Sequence, residues 1–247
     1  MKKIIPLVVI VSILLSSCSV DFAVDDIDFS NYTMPGNIVM KDTILVDASR
    51  DGGVWWYPQS GSYNPSASHQ GTPLVNYLKS QNYEVIELAR GATITSELLR
   101  KFKLVIRAGE FGTYTADELA AYQEFLNRNT SLLLASEHSA QLQNDQLASY
   151  LGLQFEGSYT TDITRFDPHP ITEGVSTHVF IAGSVVRNPD PNKILTLGYF
   201  SDSTMNNAAA MGIVKHPTSR IFFIGDMNGI EAVPQPLTSN LVSWLIR

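Results

Sequence analysis

The sequence predicts an α/β fold: a mostly parallel sheet with helices on both faces and additional strands in its C-terminal part. Three observations support this. Short apolar runs at 43–48, 83–88, 103–107 and 131–136 alternate with segments of helical periodicity. These runs are nearly continuous in apolar character, as expected of strands buried on both faces. Beyond residue 178 the helical periodicity stops, and strand-like runs follow one another up to a closing helix.

In chain order, Thr43 to Ala48 reads as the first strand. A helix follows from Pro73 through Leu78, with Leu74, Val75, Tyr77 and Leu78 on its apolar side. Tyr83 to Leu88 and Lys103 to Arg107 give the second and third strands. The next helix is announced by Thr115 three residues before Glu118, a capping-box pair, and by Leu119, Tyr122, Phe125 and Leu126 at helical spacing. Ser131 to Ser136 is a fourth strand, and a helix then ends near Leu151-Gly152, the glycine serving as its cap. Val179 to Ala182, Ile194 to Gly198, Ala208 to Val214 and Arg220 to Gly225 read mostly as strands. The last two of these are joined across His216-Pro217-Thr218-Ser219, and Leu237 to Leu245 closes the chain as a helix.

The N-terminal segment is of another kind. Lys2 and Lys3 precede an apolar stretch from Ile4 to Leu15, and small residues lead to Cys18, the one cysteine of the chain. The stretch is shorter than the roughly 20 apolar residues that span a bilayer. This order resembles the lipobox of bacterial lipoproteins, in which the cysteine thiol is diacylglycerated and the peptide is cut before it. The resemblance implies a signal peptide at 1–17, a lipid-anchored acidic tether at 18–41 carrying Asp21, Asp25, Asp26 and Asp28, and one α/β domain at 42–247. It also implies a cell-envelope location, with Ser19 after the cysteine favouring the outer membrane in a Gram-negative cell. Loss of 1–17 removes Lys2 and Lys3 and no carboxylate, so a formal charge of −7 becomes −9. So acidic a chain does not suit nucleic acid or electrostatic docking on anionic lipid, so acyl chains supply the membrane attachment. With Cys18 acylated, no thiol is left for disulfides or cysteine-ligated metals.

Polar residues gather where the strands are expected to end. Asp47 and Arg50 follow the first strand, Glu110 the third, Glu137 and His138 the fourth, and Asp226 and Asn228 a late one. Ligands of open parallel sheets bind beyond such carboxyl ends. Asp47, Glu110, Glu137 and His138 are therefore candidates for acid–base work, while each alone also fits a cap or turn. The connection from Ser49 to Gly71 is long for a strand-to-helix loop and holds Trp55, Trp56, Tyr57, His69 and Gln70. Aromatic faces there suit a sugar or another flat ligand, or they cover the sheet end. Arg50, Trp55, Trp56, Tyr57, His69, Gln70, Asp226 and Asn228 form the candidate ligand-binding set. No phosphate loop, dinucleotide fingerprint or paired-histidine metal motif occurs, so no cofactor or metal is expected. His178 and His216 read as surface or packing residues.

The element order from Thr43 to Leu151 and the strand end Leu134-Ala135-Ser136-Glu137-His138-Ser139-Ala140-Gln141 resemble the class I glutamine amidotransferase-like, flavodoxin-like doubly wound fold. His169-Pro170-Ile171-Thr172-Glu173-Gly174-Val175, Phe222-Phe223-Ile224-Gly225-Asp226 and Asn240 to Leu245 resemble its non-amidotransferase branches. Those include trehalose-utilisation type domains and the domain of intraflagellar-transport and gliding- or transporter-associated proteins. In the active branch a cysteine nucleophile stands on the turn after a strand; the resemblance puts Glu137 at that place, so glutaminase activity is not expected. The expected function is a non-catalytic envelope domain that binds a carbohydrate or small ligand, or scaffolds. The alternatives are a subunit of a transporter or gliding-type complex with envelope protein partners, and a carboxylate-dependent hydrolase.

Overall fold

Among the described residues, ten strands and five α-helices form a mixed α/β structure around one sheet. The computed structural model describes residues 43–50, 71–88, 90–107, 109, 112–137, 145–203, 205–230 and 235–247. All of them belong to the compact unit Ile38–Arg247.

The N-terminal half is β1 (Thr43–Asp47), α1 (Thr72–Ser80), β2 (Glu84–Leu88), α2 (Ser96–Leu99), β3 (Leu104–Arg107), α3 (Ala116–Leu126), β4 (Ser131–Ala135) and α4 (Gln146–Tyr150). The C-terminal half adds β5 (Phe155–Ile163), β6 (Arg165–Phe166), β7 (His178–Val186), β8 (Ile194–Phe200), β9 (Ala208–Val214), β10 (Arg220–Ile224) and α5 (Pro236–Ile246). The sheet runs β2-β1-β3-β4-β10-β9-β7-β5, with β8 also on β9 and β6 on β8. The first five of these strands pair in parallel, and every other pairing is antiparallel. Because β7 and β8 reverse the reversal of β9, seven of the ten strands run one way.

Continuous apolar runs become two-faced strands. Ile44, Val46, Leu104, Ile106, Leu133, Phe222 and Ile224 pack with Leu74, Val75 and Leu78 of α1 and Leu237, Leu241 and Leu245 of α5. The alternate residues Leu45, Val105, Leu132, Leu134, Ile221 and Phe223 pack with α2, α3 and α4 through Leu99, Tyr122, Phe125 and Leu147. Each buried Leu or Phe side chain contributes about 1.5–3 kcal/mol relative to exposure, so these two layers hold the sheet. The capping box forms as the sequence predicts: Thr115 Oγ1 accepts the Glu118 N–H, and Glu118 accepts the Thr115 N–H at 2.8 Å.

The sequence did not disclose β5 or the four-residue α2, and β7 is longer than its apolar run. β5 reads Phe-Glu-Gly-Ser-Tyr-Thr-Thr-Asp-Ile, half-exposed along the sheet edge, so it lacks the apolar signature of a two-faced strand.

β7 crosses the end of β10 so closely that a Cβ on Gly225 would lie 1.8 Å from the Ser184 carbonyl oxygen. Ser184 and Gly225 are tied there by an N–H···O bond of 2.7 Å. Overpacking in a fixed backbone crossing costs about 1–3 kcal/mol or more. Gly225→Ala should therefore destabilise by at least about 3 kcal/mol, read as a lower urea midpoint with an unchanged slope.

Candidate functional site at the carboxyl edge of the sheet

The order of the parallel strands reverses between β1 and β3, since β2 flanks β1 on the far side. Such a reversal opens a crevice beyond the carboxyl ends of the two strands. Asp47 ends β1 and Arg107 ends β3; they are partners in register and both are buried.

Asp47 is saturated by donors. Its Oδ1 accepts the Ser49 N–H at 3.0 Å and the Ser49 hydroxyl at 2.6 Å. Its Oδ2 accepts the Tyr114 hydroxyl at 2.6 Å and the Tyr122 hydroxyl at 2.5 Å. Burial pushes the Tyr122 phenol well above its ordinary pKa, and the Asp47 charge adds to this, so Tyr122 remains a donor. Beside this group, Arg107 donates to Asp145 at 2.5 Å, and the other Asp145 oxygen caps α4 by accepting the Ala148 N–H at 2.7 Å.

Arg50, at the exit of β1, fastens that exit to α3. Its Nε donates to the Thr113 carbonyl, Nη1 to the Ala92 carbonyl, and Nη2 to both Glu118 oxygens at 2.8 Å. Its guanidinium also lies over the Tyr114 ring at 5.1 Å. Burial alone would raise the Glu118 pKa, but the N–H groups of Thr115 and Ile94 and the Arg50 charge outweigh it and hold the carboxyl below its usual range.

At the next two strand ends, Glu137 follows β4 and is buried, and Asp226 follows β10 and is fully buried. Asp226 accepts the Ile181 N–H at 2.5 Å and the Asn228 N–H at 2.8 Å. The Asn228 amide donates to the Ile181 carbonyl at 3.5 Å. The register between β5 and β7 shifts here, and Ala182 has φ of 58°. This bulge turns the Ile181 N–H away from β5 and onto Asp226, as bulges re-aim single groups. The structure thus brings Asp226 and Asn228 together on β7, and Asp47 and Arg50 together on α3. Cys18, Trp55, Trp56, Tyr57, His69, Gln70, Glu110 and His138 lie outside the described residues.

Sequence reasoning missed Arg107, Asp145 and Tyr114, and took Tyr122 only as apolar surface. A signal existed for two of them: an arginine closing an apolar strand needs a partner, and a buried tyrosine needs an acceptor for its hydroxyl. The histidines divide. His216 accepts the Ser219 N–H at 3.2 Å and orders the turn before β10. His178 is buried, and among the described residues neither ring nitrogen has a hydrogen-bond partner. Burial pushes its pKa down to about 4.

No protein-family model matches the chain, and no curated protein matches it. Solved structures do. The mmIFT52 N-terminal domain superposes with a TM-score of 0.62 at 15% identity, over 83% of this chain and 97% of that one. The cytoplasmic protein STM3548 from Salmonella typhimurium gives 0.56 at 10%, over 83% and 98%. A putative ThuA-like protein from Parabacteroides merdae gives 0.51 at 11%, over 83% and 89%. At such identities the likeness shows the fold alone, and the ThuA-like neighbour supports the class I glutamine amidotransferase-like fold expected from the sequence.

Two measurements check this description. Asp47→Asn places donors against donors and should cost about 3 kcal/mol, whereas Tyr122→Phe removes one bond to a charged acceptor and should cost about 1.5–3 kcal/mol; urea titration separates them. For His178, the unfolded chain takes up a proton below about pH 6.5, while the folded chain resists until about pH 4. Stability should therefore fall by roughly 3 kcal/mol as pH drops through that window, and His178→Phe should flatten that part of the profile.

Proposed function

We propose that the chain is a lipid-anchored envelope protein whose amidotransferase-like domain binds a small ligand or carbohydrate without turning it over. Its division is a signal peptide at 1–17, an acylated tether at 18–41 and the domain at 42–247. The strand order 2-1-3-4-10, with helices on both faces, supports the doubly wound, flavodoxin-like form of the fold.

One observation carries the non-catalytic reading. An ionised carboxylate offers about four acceptor positions, and Asp47, at the strand reversal, has four donors on it. A carboxylate so occupied holds the edge together and has no lone pair left for a substrate proton. Glu137 stands where the resemblance places the nucleophile, and a carboxylate does not form the thioester of glutamine hydrolysis. The ligand class rests on the residues of the 51–70 connection: it leaves from the strand reversal, and Trp55, Trp56 and Tyr57 supply flat faces. Arg50 contributes by fixing the start of that connection on α3.

A second reading, a subunit of an envelope complex, is favoured by Val179 and Ile181. They lie two residues apart on β7 and are 50% and 46% exposed.

The test is a thermal-shift screen of oligosaccharides and small metabolites on the detergent-solubilised full chain. A binder at a hundredfold excess over its Kd should stabilise by about 2.7 kcal/mol. Trp55→Ala or Trp56→Ala should abolish most of that shift, and Cys18→Ala should move the chain from the membrane to the soluble fraction. A hit that is indifferent to both tryptophan variants, or a Cys18→Ala chain that stays in the membrane, removes the corresponding half of the proposal.

A further inference from the structure

The opposite, amino-terminal edge of the parallel strands carries a pocket of about 590 Å³. It is lined by the starts of β1, β3, β4 and β10 and by the last turn of α5. Its cations are Lys103, Arg220 and Arg247; among the described lining residues none is an aspartate or glutamate, and the Glu84 carboxylate stands behind Thr43, accepting its hydroxyl at 3.3 Å. For a chain of formal charge −7 this is a local reversal of sign. Among the described residues, the side chains of Lys103 and Arg247 make no hydrogen bond or ion pair.

The end of α5 would by itself repel an anion, because its last carbonyls carry the negative pole of the helix. Two of them are covered. Ser131 donates its hydroxyl to the Leu245 carbonyl at 2.6 Å, and Arg220 Nη1 donates to the Trp244 carbonyl at 3.1 Å. Among the described residues Arg220 makes no other side-chain bond, so three cations offer donors to the pocket. Ile44, Leu104 and Ile246 add apolar wall and Tyr83 an aromatic one. The volume falls within the roughly 300–1,000 Å³ of small-molecule sites.

From this arrangement we infer that the amino-terminal edge is a second binding site, selective for a phosphate monoester on a small, partly apolar body. Cations from three different elements surround a dianion better than a planar monoanionic carboxylate, and each contact is charge-assisted. The site stands apart from the carboxyl-edge loops and does not rest on the ligand reading given to them. A phosphate could reach it from a soluble monoester or from a lipid headgroup diester, and the two differ in charge.

Calorimetry on the detergent-solubilised full chain, at fixed ionic strength, tests this with glycerol phosphate and inorganic phosphate as monoester probes and glycerophosphoglycerol as the diester. Saturable binding of glycerol phosphate with a Kd of about 1 mM or tighter is expected. Lys103→Gln and Arg247→Gln should each raise that Kd about tenfold or more, the size of one charge-assisted hydrogen bond. Both side chains lack described partners, so the variants should keep the parental melting point. Affinity for the diester should be at least about tenfold weaker, and equal affinity for monoester and diester overturns the monoester selectivity. Absence of saturable binding of every probe, or equal Kd values in the parent and both variants, overturns the proposal.

Discussion

A carboxylate buried at the end of a strand must be matched by donors, and the carboxyl edge of this sheet is organised around that requirement. Asp47 is 1% exposed, and an unpaired charge there would cost several kcal/mol. Its donors come from the loop after β1 through Ser49, from the approach to α3 through Tyr114, and from α3 itself through Tyr122. One residue therefore fixes the distance between β1 and the helix that covers β3. Arg50 and Glu118 repeat the tie one turn further out, and Arg107 with Asp145 repeats it for α4. The apolar layers set which faces meet, and these polar ties set where along the strands the helices stop.

The same requirement explains which parts of the molecule were legible in the sequence. Two-faced strands announce themselves by continuous apolar runs, and β1, β3, β4 and β10 were read from them. The capping box was readable because Thr115 and Glu118 interact at a fixed local spacing. Glu118, however, does two tasks, and the second was invisible: its pairing with Arg50 spans 68 positions. Long-range polar pairs leave no periodic trace, which is why Arg107, Asp145 and Tyr114 were missed. β5 was missed for a different reason. An edge strand with solvent on much of its surface keeps polar residues, and its pairing with β7 is interrupted by irregularities at Glu156–Tyr159 and Tyr159–Thr161.

Asp47, Arg50, Asp226 and Asn228 stand at or just beyond strand ends, where each makes bonds that fasten the sheet. Asp226 accepts two backbone N–H groups and fastens the β7 bulge to the end of β10. Gly225, next to it, admits the β7 backbone at a distance closed to any side chain. These two residues join the parallel half of the sheet to the antiparallel half. Three ionisable side chains and one amide, read in one dimension as candidates for a cleft, act in three as fasteners of the scaffold.

The two edges of the sheet consequently use charge in opposite ways. At the carboxyl edge, Asp47, Arg50, Arg107 and Asp145 all have opposite-sign or donor partners within hydrogen-bond distance. Charges so compensated contribute stability and contribute little field to solvent. At the amino edge, Lys103 and Arg247 are exposed and make no such pair. Uncompensated charges of one sign lining one concavity focus a field, and that field acts on whatever anion approaches. Thr43 both begins β1 and lines that pocket, whereas Asp47 ends the same strand at the opposite edge. One strand thereby links the two edges, with the buried Asp47 network at its carboxyl end and the cations of the pocket around its amino end.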